Sequence, residues 1–104
     1  MKSIFKYKID INSEKFGVSG PITKFLSVQV QRSQVCIWAE IDTDIPDRHF
    51  AVFPIGTGWD TGLIPIFQKA TFLDTVQLYG GDLVWHIYYV ELTEPYDKFE
   101  GEWE

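Results

Sequence analysis

Hydrophobic and polar positions alternate along most of this chain, with a period of two rather than 3.6. Over residues 4–11, Phe5, Tyr7, Ile9 and Ile11 fall on one face and Lys6, Lys8 and Asp10 on the other, the pattern of a half-buried strand. It returns over 25–31, with Leu26, Val28 and Val30 inward and Ser27, Gln29 and Gln31 outward. Arg32-Ser33 reads as a turn into 34–41, where Val35, Ile37, Ala39 and Ile41 share a face. A fourth strand is predicted over 49–55. Pro54 places its end at a sheet edge or margin, because proline cannot donate to a ladder. Between these runs, 12–23 has a loop composition (Asn12, Ser13, Gly17, Ser19, Gly20, Pro21) and 42–47 is an acidic loop containing Pro46. The stretch 64–70 fits no single template, although Pro65 argues against a helix beginning before it.

Residues 71–92 carry the strongest signal. Two runs rich in β-branched and aromatic residues flank Gly80-Gly81, and paired glycines supply the positive φ angles of a tight hairpin. The second run is apolar on both faces: Leu83, Trp85, Ile87 and Tyr89 on one, Val84, His86, Tyr88 and Val90 on the other. Such a strand is internal and covered on both sides. The predicted fold is therefore all-β and mainly antiparallel, a small barrel or sandwich of about six or seven strands with at most a short helix. Trp85 is expected in the core and Trp59 on a glycine loop. Periodicity disappears after Pro95, which divides the chain into a β domain over 1–93 and a tail over 94–104.

Length and composition fit this picture. A chain of 104 residues with 45% hydrophobic and 16% aromatic content forms one domain with a core that needs no disulfide staples. Cys36 is the lone cysteine, which fits a reducing compartment. The opening residues alternate charge with apolar side chains, unlike a signal peptide. No apolar run approaches the roughly 18 residues of a membrane helix. A soluble cytoplasmic protein, away from membranes, is expected. The formal charge is −6. The tail alone holds Glu94, Asp97, Glu100, Glu102 and Glu104 against Lys98, a net −4 that leaves −2 for the other 93 residues. An acidic chain is repelled by phosphate backbones, so direct nucleic-acid binding is not expected.

Candidate chemistry is sparse. Gly56, Thr57, Gly58 and Trp59 form a glycine-dense segment whose backbone N–H groups could cradle an anion. It lacks the Lys-Ser/Thr ending of a phosphate loop, and no clear helix follows. A structural turn is the simpler reading. His86 is expected to be a core histidine bonded to backbone, and Cys36 a small buried hydrophobe. Neither shows the base and orienting carboxylate of nucleophilic catalysis. His49, His86 and Cys36 have no ligand-like spacing, so neither a metal nor another cofactor is expected. The tail interleaves acid with Tyr96, Phe99 and Trp103. With Glu100 and Glu102, these aromatics are the candidate partner-binding residues, anchors flanked by charge that meets a basic surface.

Certain segments taken in order, namely Ile4-Phe5-Lys6-Tyr7, Leu26 to Gln31, Cys36-Ile37-Trp38-Ala39, Gly56-Thr57-Gly58 and Gly80-Gly81-Asp82-Leu83-Val84-Trp85-His86, resemble a family of small β-rich proteins of tailed bacteriophages and prophage-bearing bacteria. The family pattern continues His-Pro after Gly-Thr-Gly, where this chain has Trp59-Asp60. The resemblance implies a viral setting and supplies no catalytic role. The expected function is that of a non-enzymatic acidic protein that attaches to a host or phage protein, foremost a host nucleic-acid-handling or defence enzyme, and modulates it. The alternatives are a binder of a small anionic ligand or nucleotide at 56–62, and a minor virion or assembly component.

Overall fold

The computed structural model describes residues 1–10 and 16–96. Seven strands follow one another: β1 (Lys2–Ile9), β2 (Phe16–Gly20), β3 (Ile22–Gln31), β4 (Gln34–Asp42), β5 (Arg48–Gly56), β6 (Thr71–Leu78) and β7 (Leu83–Leu92). They form two antiparallel sheets. Sheet A has the order β1-β4-β3 and sheet B the order β2-β5-β7-β6. Among the described residues the only helical turns are three short 3-10 segments. The all-β, antiparallel, single-domain reading holds, and β7 is internal as its two apolar faces required.

The sheets are joined by one bent ribbon. β2 runs into β3 through Pro21 alone, while its partner chain runs from β4 to β5. Gly20 lies opposite Arg48 in sheet B, and Ile22 opposite Ile41 in sheet A. Arg48 ties the corner. Its guanidinium donates to the Ile22 carbonyl at 2.9 Å and to both Glu91 carboxylate oxygens at 2.8 and 2.9 Å. It also lies 5.2 Å from the centre of the Phe50 ring. At the far side, β3 and β6 meet without a ladder. Each carries a bulge there, between Phe25 and Ser27 and between Phe72 and Asp74. The Asp74 carboxylate reaches across to accept the Val28 N–H at 3.1 Å, so a side chain satisfies a donor that the seam leaves unpaired.

Between the sheets lies the main core, including Ile9, Val28, Ile37, Val52 and Ile87. Phe25, Phe50 and Tyr89 meet edge to face within it, with centroids 4.8–5.7 Å apart. A second cluster covers the opposite side of sheet B, where Ala51, Phe53, Ile55, Val90 and Leu92 pack under Ile64, Ile66, Phe67 and Tyr96. Topology demands this cover. β5 and β6 are both antiparallel to β7, which separates them, so the connection 57–70 must cross the sheet. It crosses the outer side in two 3-10 turns, Thr61–Leu63 and Pro65–Lys69.

Four sequence expectations change. Residues 16–20 are a strand, not loop. Gly17 and Gly20 hid it, because both sit where another side chain approaches: a Cβ would come within 2.6 Å of Tyr96 Cβ and 2.5 Å of the Tyr7 hydroxyl respectively. Leu26 is exposed and Phe25 takes the core position, because the bulge slips the alternation. Trp85 is half-buried rather than fully enclosed. The β6–β7 loop has four residues, 79–82, between the Leu78–Leu83 pair, in place of a two-residue turn. Pro54 lies opposite Ile87 of β7, two positions beyond the last β2–β5 pair among the described residues. Ile11 lies outside the described residues.

Two outcomes follow from the packing. Gly20→Ala is expected to lose about 1–3 kcal/mol by overpacking. Tyr7→Phe, which removes the obstructing oxygen, should shrink that loss, and denaturant melts of the two singles and the double give the coupling. The Arg48 hydrogen bonds hold the Glu91 carboxyl below the usual carboxylate range. A depressed folded pKa stabilises above the unfolded value and ceases to do so as pH falls through the folded one. The melting difference between the protein and Glu91→Gln should therefore be small but present at neutral pH, since the pair is solvent-accessible, and vanish in acid.

Candidate functional site

The loop leaving β5 is fastened to sheet B on both sides of the sheet. On the outer side, the Thr57 hydroxyl lies 2.8 Å from His86 Nε2, and the Thr75 hydroxyl 3.0 Å from His86 Nδ1. Thr75 stands directly opposite His86 across the β6–β7 pair. Hydroxyls donate or accept, so either imidazole tautomer is satisfied. On the inner side, Trp59 folds back over Gly56 and meets Trp85 edge-on, with centroids 5.5 Å apart. A Cβ at Gly56 would lie 2.5 Å from the Trp59 indole nitrogen, so only glycine admits this return.

The expected bond from His86 to backbone is thus replaced by two threonine hydroxyls. Both ring nitrogens of His86 face hydroxyls, and neither meets a carboxylate among the described residues. Cys36 cannot join them. That thiol is buried on the outer side of sheet A, with the core between it and His86. His49 instead pairs with Ser19 at 2.8 Å on the outer side of sheet B. Among the described residues, no three His, Cys, Asp or Glu side chains gather as a metal site, and no helix is long and apolar enough to cross a membrane.

As an anion cradle the loop is poorly equipped. The Trp59 N–H donates to the Gly56 carbonyl at 3.2 Å and the Gly62 N–H to the Asp60 carboxylate at 3.0 Å. Gly58 takes the left-handed φ of +88°, yet the loop brings a negative charge where a phosphate would need positive ones.

Exposed apolar side chains collect around this end of sheet B instead. Gly56 pairs with Trp85, so the β6–β7 loop, two residues further along β7, projects past the same end as residues 57–63. Trp59 is 53% exposed, Leu63 76%, Tyr79 73% and Leu83 40%. Tyr79 also holds φ at +53°, a left-handed conformation that Gly80 and Gly81 beside it adopt at less cost. The family model described as a domain of unknown function, DUF7352, matches residues 1–97. The chain belongs to the DUF7352 family. No curated protein and no solved structure matches it.

Of the residues singled out in sequence, Gly56, Thr57, Gly58 and Trp59 are brought together with His86, Thr75 and Trp85 in this DUF7352 domain. Tyr96 packs on the second cluster, against Gly17, and so serves the body of the domain. Phe99, Glu100, Glu102 and Trp103 lie outside the described residues. Tyr79 and Thr75 went unnoticed in sequence. Thr57→Val is expected to cost about 0.5–1.5 kcal/mol, the worth of one hydrogen bond, and to speed amide exchange at Gly58 and Trp59. Trp85→Ala should cost more than Trp59→Ala, since Trp85 packs against the main core while Trp59 is largely solvated. Equal losses in denaturant melts would contradict that ranking.

Proposed function

We propose that this domain is a non-enzymatic binding protein that attaches to another protein and modulates it. The observation that supports the reading is the rigid apolar end of sheet B. Tryptophan and tyrosine dominate protein-binding hot spots, and clustered exposed apolar side chains mark interaction surfaces. Trp59 is held by Gly56 and Trp85, and Thr57 by His86, so the contact loses little side-chain freedom on binding. The strained backbone of Tyr79, retained with its ring in solvent, supports the same face. The resemblance to bacteriophage proteins gives the setting: the partner is a host enzyme that handles nucleic acid or defends the cell, acting in the host cytoplasm. A net charge of −6 suits a partner with a basic surface, and such charge chiefly speeds the encounter.

The nucleotide-binding alternative has no support in the loop geometry, given the engaged N–H groups and Asp60. The test is affinity capture from host extract with the tagged protein and with Trp59→Ala/Tyr79→Ala. The double variant should lose the partner by about tenfold or more, as hot-spot truncations do, while melting as a folded domain. Equal capture by both would move the contact away from this end. Capture of virion components alone would replace the reading with an assembly role.

A further inference from the structure

The acidic chain conceals a cationic face. Lys2, Lys6, Lys8, Lys24 and Arg32 are five of its nine lysines and arginines. The first four project from the outer side of sheet A, and Arg32 stands in the β3–β4 turn. Of the acids of that side, Glu40 and Asp42 sit at the far end of β4, where the Thr23 hydroxyl donates to Glu40 at 2.9 Å, while Asp10, on the face of Lys6 and Lys8, follows β1 at the near end. At the near end is a groove of about 390 Å³ lined by Lys6, Lys8, Gln31, Arg32, Gln34 and Cys36. The Lys6 ammonium donates to the Gln31 side-chain oxygen Oε1 at 2.8 Å, and the Gln34 side-chain amide donates to the Ile9 backbone carbonyl at 2.7 Å. Lys8 and Arg32 make no side-chain hydrogen bond or ion pair with any described residue. The groove therefore offers donors in excess. Arg32 and Ser33 hold φ at +53° and +65°, in a two-residue turn that glycine or asparagine fills without strain. Arginine here places its charge at the groove at a cost in backbone conformation.

We propose that this groove docks the acidic C-terminal segment of a second copy of the chain. Residues 94–104 carry five carboxylates and one cation, the complement of the groove in sign. A long polyanion laid along the sheet would run onto Glu40 and Asp42, whereas a short acidic segment would not. The donor is a second copy because Tyr96 packs against Gly17 on the outer side of sheet B, the layer opposite the groove. Each copy owns one groove and one segment, so reciprocal exchange closes a two-fold dimer. Exposed ion pairs are individually weak. The second contact of such a dimer forms within the complex, at an effective concentration of about millimolar. The proposal is independent of the partner-binding reading above.

Sedimentation equilibrium of the full chain tests it, with charge-swapped variants that each leave the β core untouched. The protein should approach dimer mass at high concentration, and association should weaken about tenfold or more between about 0.1 and about 0.5 M salt, as screening shortens. Lys8→Glu/Arg32→Glu should be monomeric, and so should Glu100→Lys/Glu102→Lys/Glu104→Lys. Mixing these two variants restores both charge-opposed contacts, and a heterodimer should reappear. A monomer at every concentration, a dimer indifferent to the groove reversal, or a mixture that stays monomeric would overturn the proposal. So would an oligothymidylate strand that binds the groove more tightly than the second copy does.

Discussion

Sheet B must be desolvated on both faces, and much of the molecule is arranged to achieve this. β5 and β7 present Phe50, Val52, Ile87 and Tyr89 to one side and Ala51, Phe53, Tyr88 and Val90 to the other. Burying one such side chain is worth about 1.5–3 kcal/mol, so leaving either face in water would consume much of the stability of a domain this small. Sheet A covers the first face. The second is covered by the connection that the strand order obliges to cross the sheet, together with Tyr96. A crossing with no regular strand or long helix of its own thereby becomes part of the core.

That requirement also bears on how the candidate site is fastened. The crossing begins at Gly56, and its first residues are held by Thr57 outside the sheet and Trp59 inside it. A glycine loop without these fastenings would be an adaptable tip. With them the loop is tied to β7 on both sides of the sheet, and the Trp59 ring rests on Trp85. The opposite end of sheet B is organised differently. There Arg48 commits its guanidinium to Glu91 and the Ile22 carbonyl, joining the layers. The cleft of about 720 Å³ beside it is lined by this engaged cation and by Lys69.

Period-two alternation made the sheet architecture legible, and β7 declared its central place through two apolar faces. What stayed hidden has physical causes. β2 escaped because its two glycines, needed beneath Tyr7 and Tyr96, look like loop residues until the approaching side chains are known. Leu26 and Phe25 exchanged roles through a bulge, and period-two counting cannot see an inserted residue. The Thr57–His86 contact joins residues 29 positions apart and had no local signal. Thr75 did have one: a four-residue loop at 79–82 fixes a register in which Thr75 faces His86.

Net charge hides the local distribution for a related reason. A sum over the chain describes long-range repulsion, but at physiological ionic strength charges more than about 8–10 Å apart scarcely sense one another. What a partner meets is the local field. Alternation already placed Lys6 and Lys8 on the side of β1 away from the core. Pairing of β1 and β3 on either side of β4 then adds Lys24, and the turn adds Arg32, while much of the negative charge lies in residues 94–104. Separation of this kind leaves the −6 total unchanged and puts a cationic sheet face in a chain whose C-terminal sequence is acidic. The proposed self-association uses opposite charge, whereas the proposed partner contact at the apolar end uses aromatic burial. The two mechanisms respond differently to salt, since screening weakens the first and leaves the second largely intact.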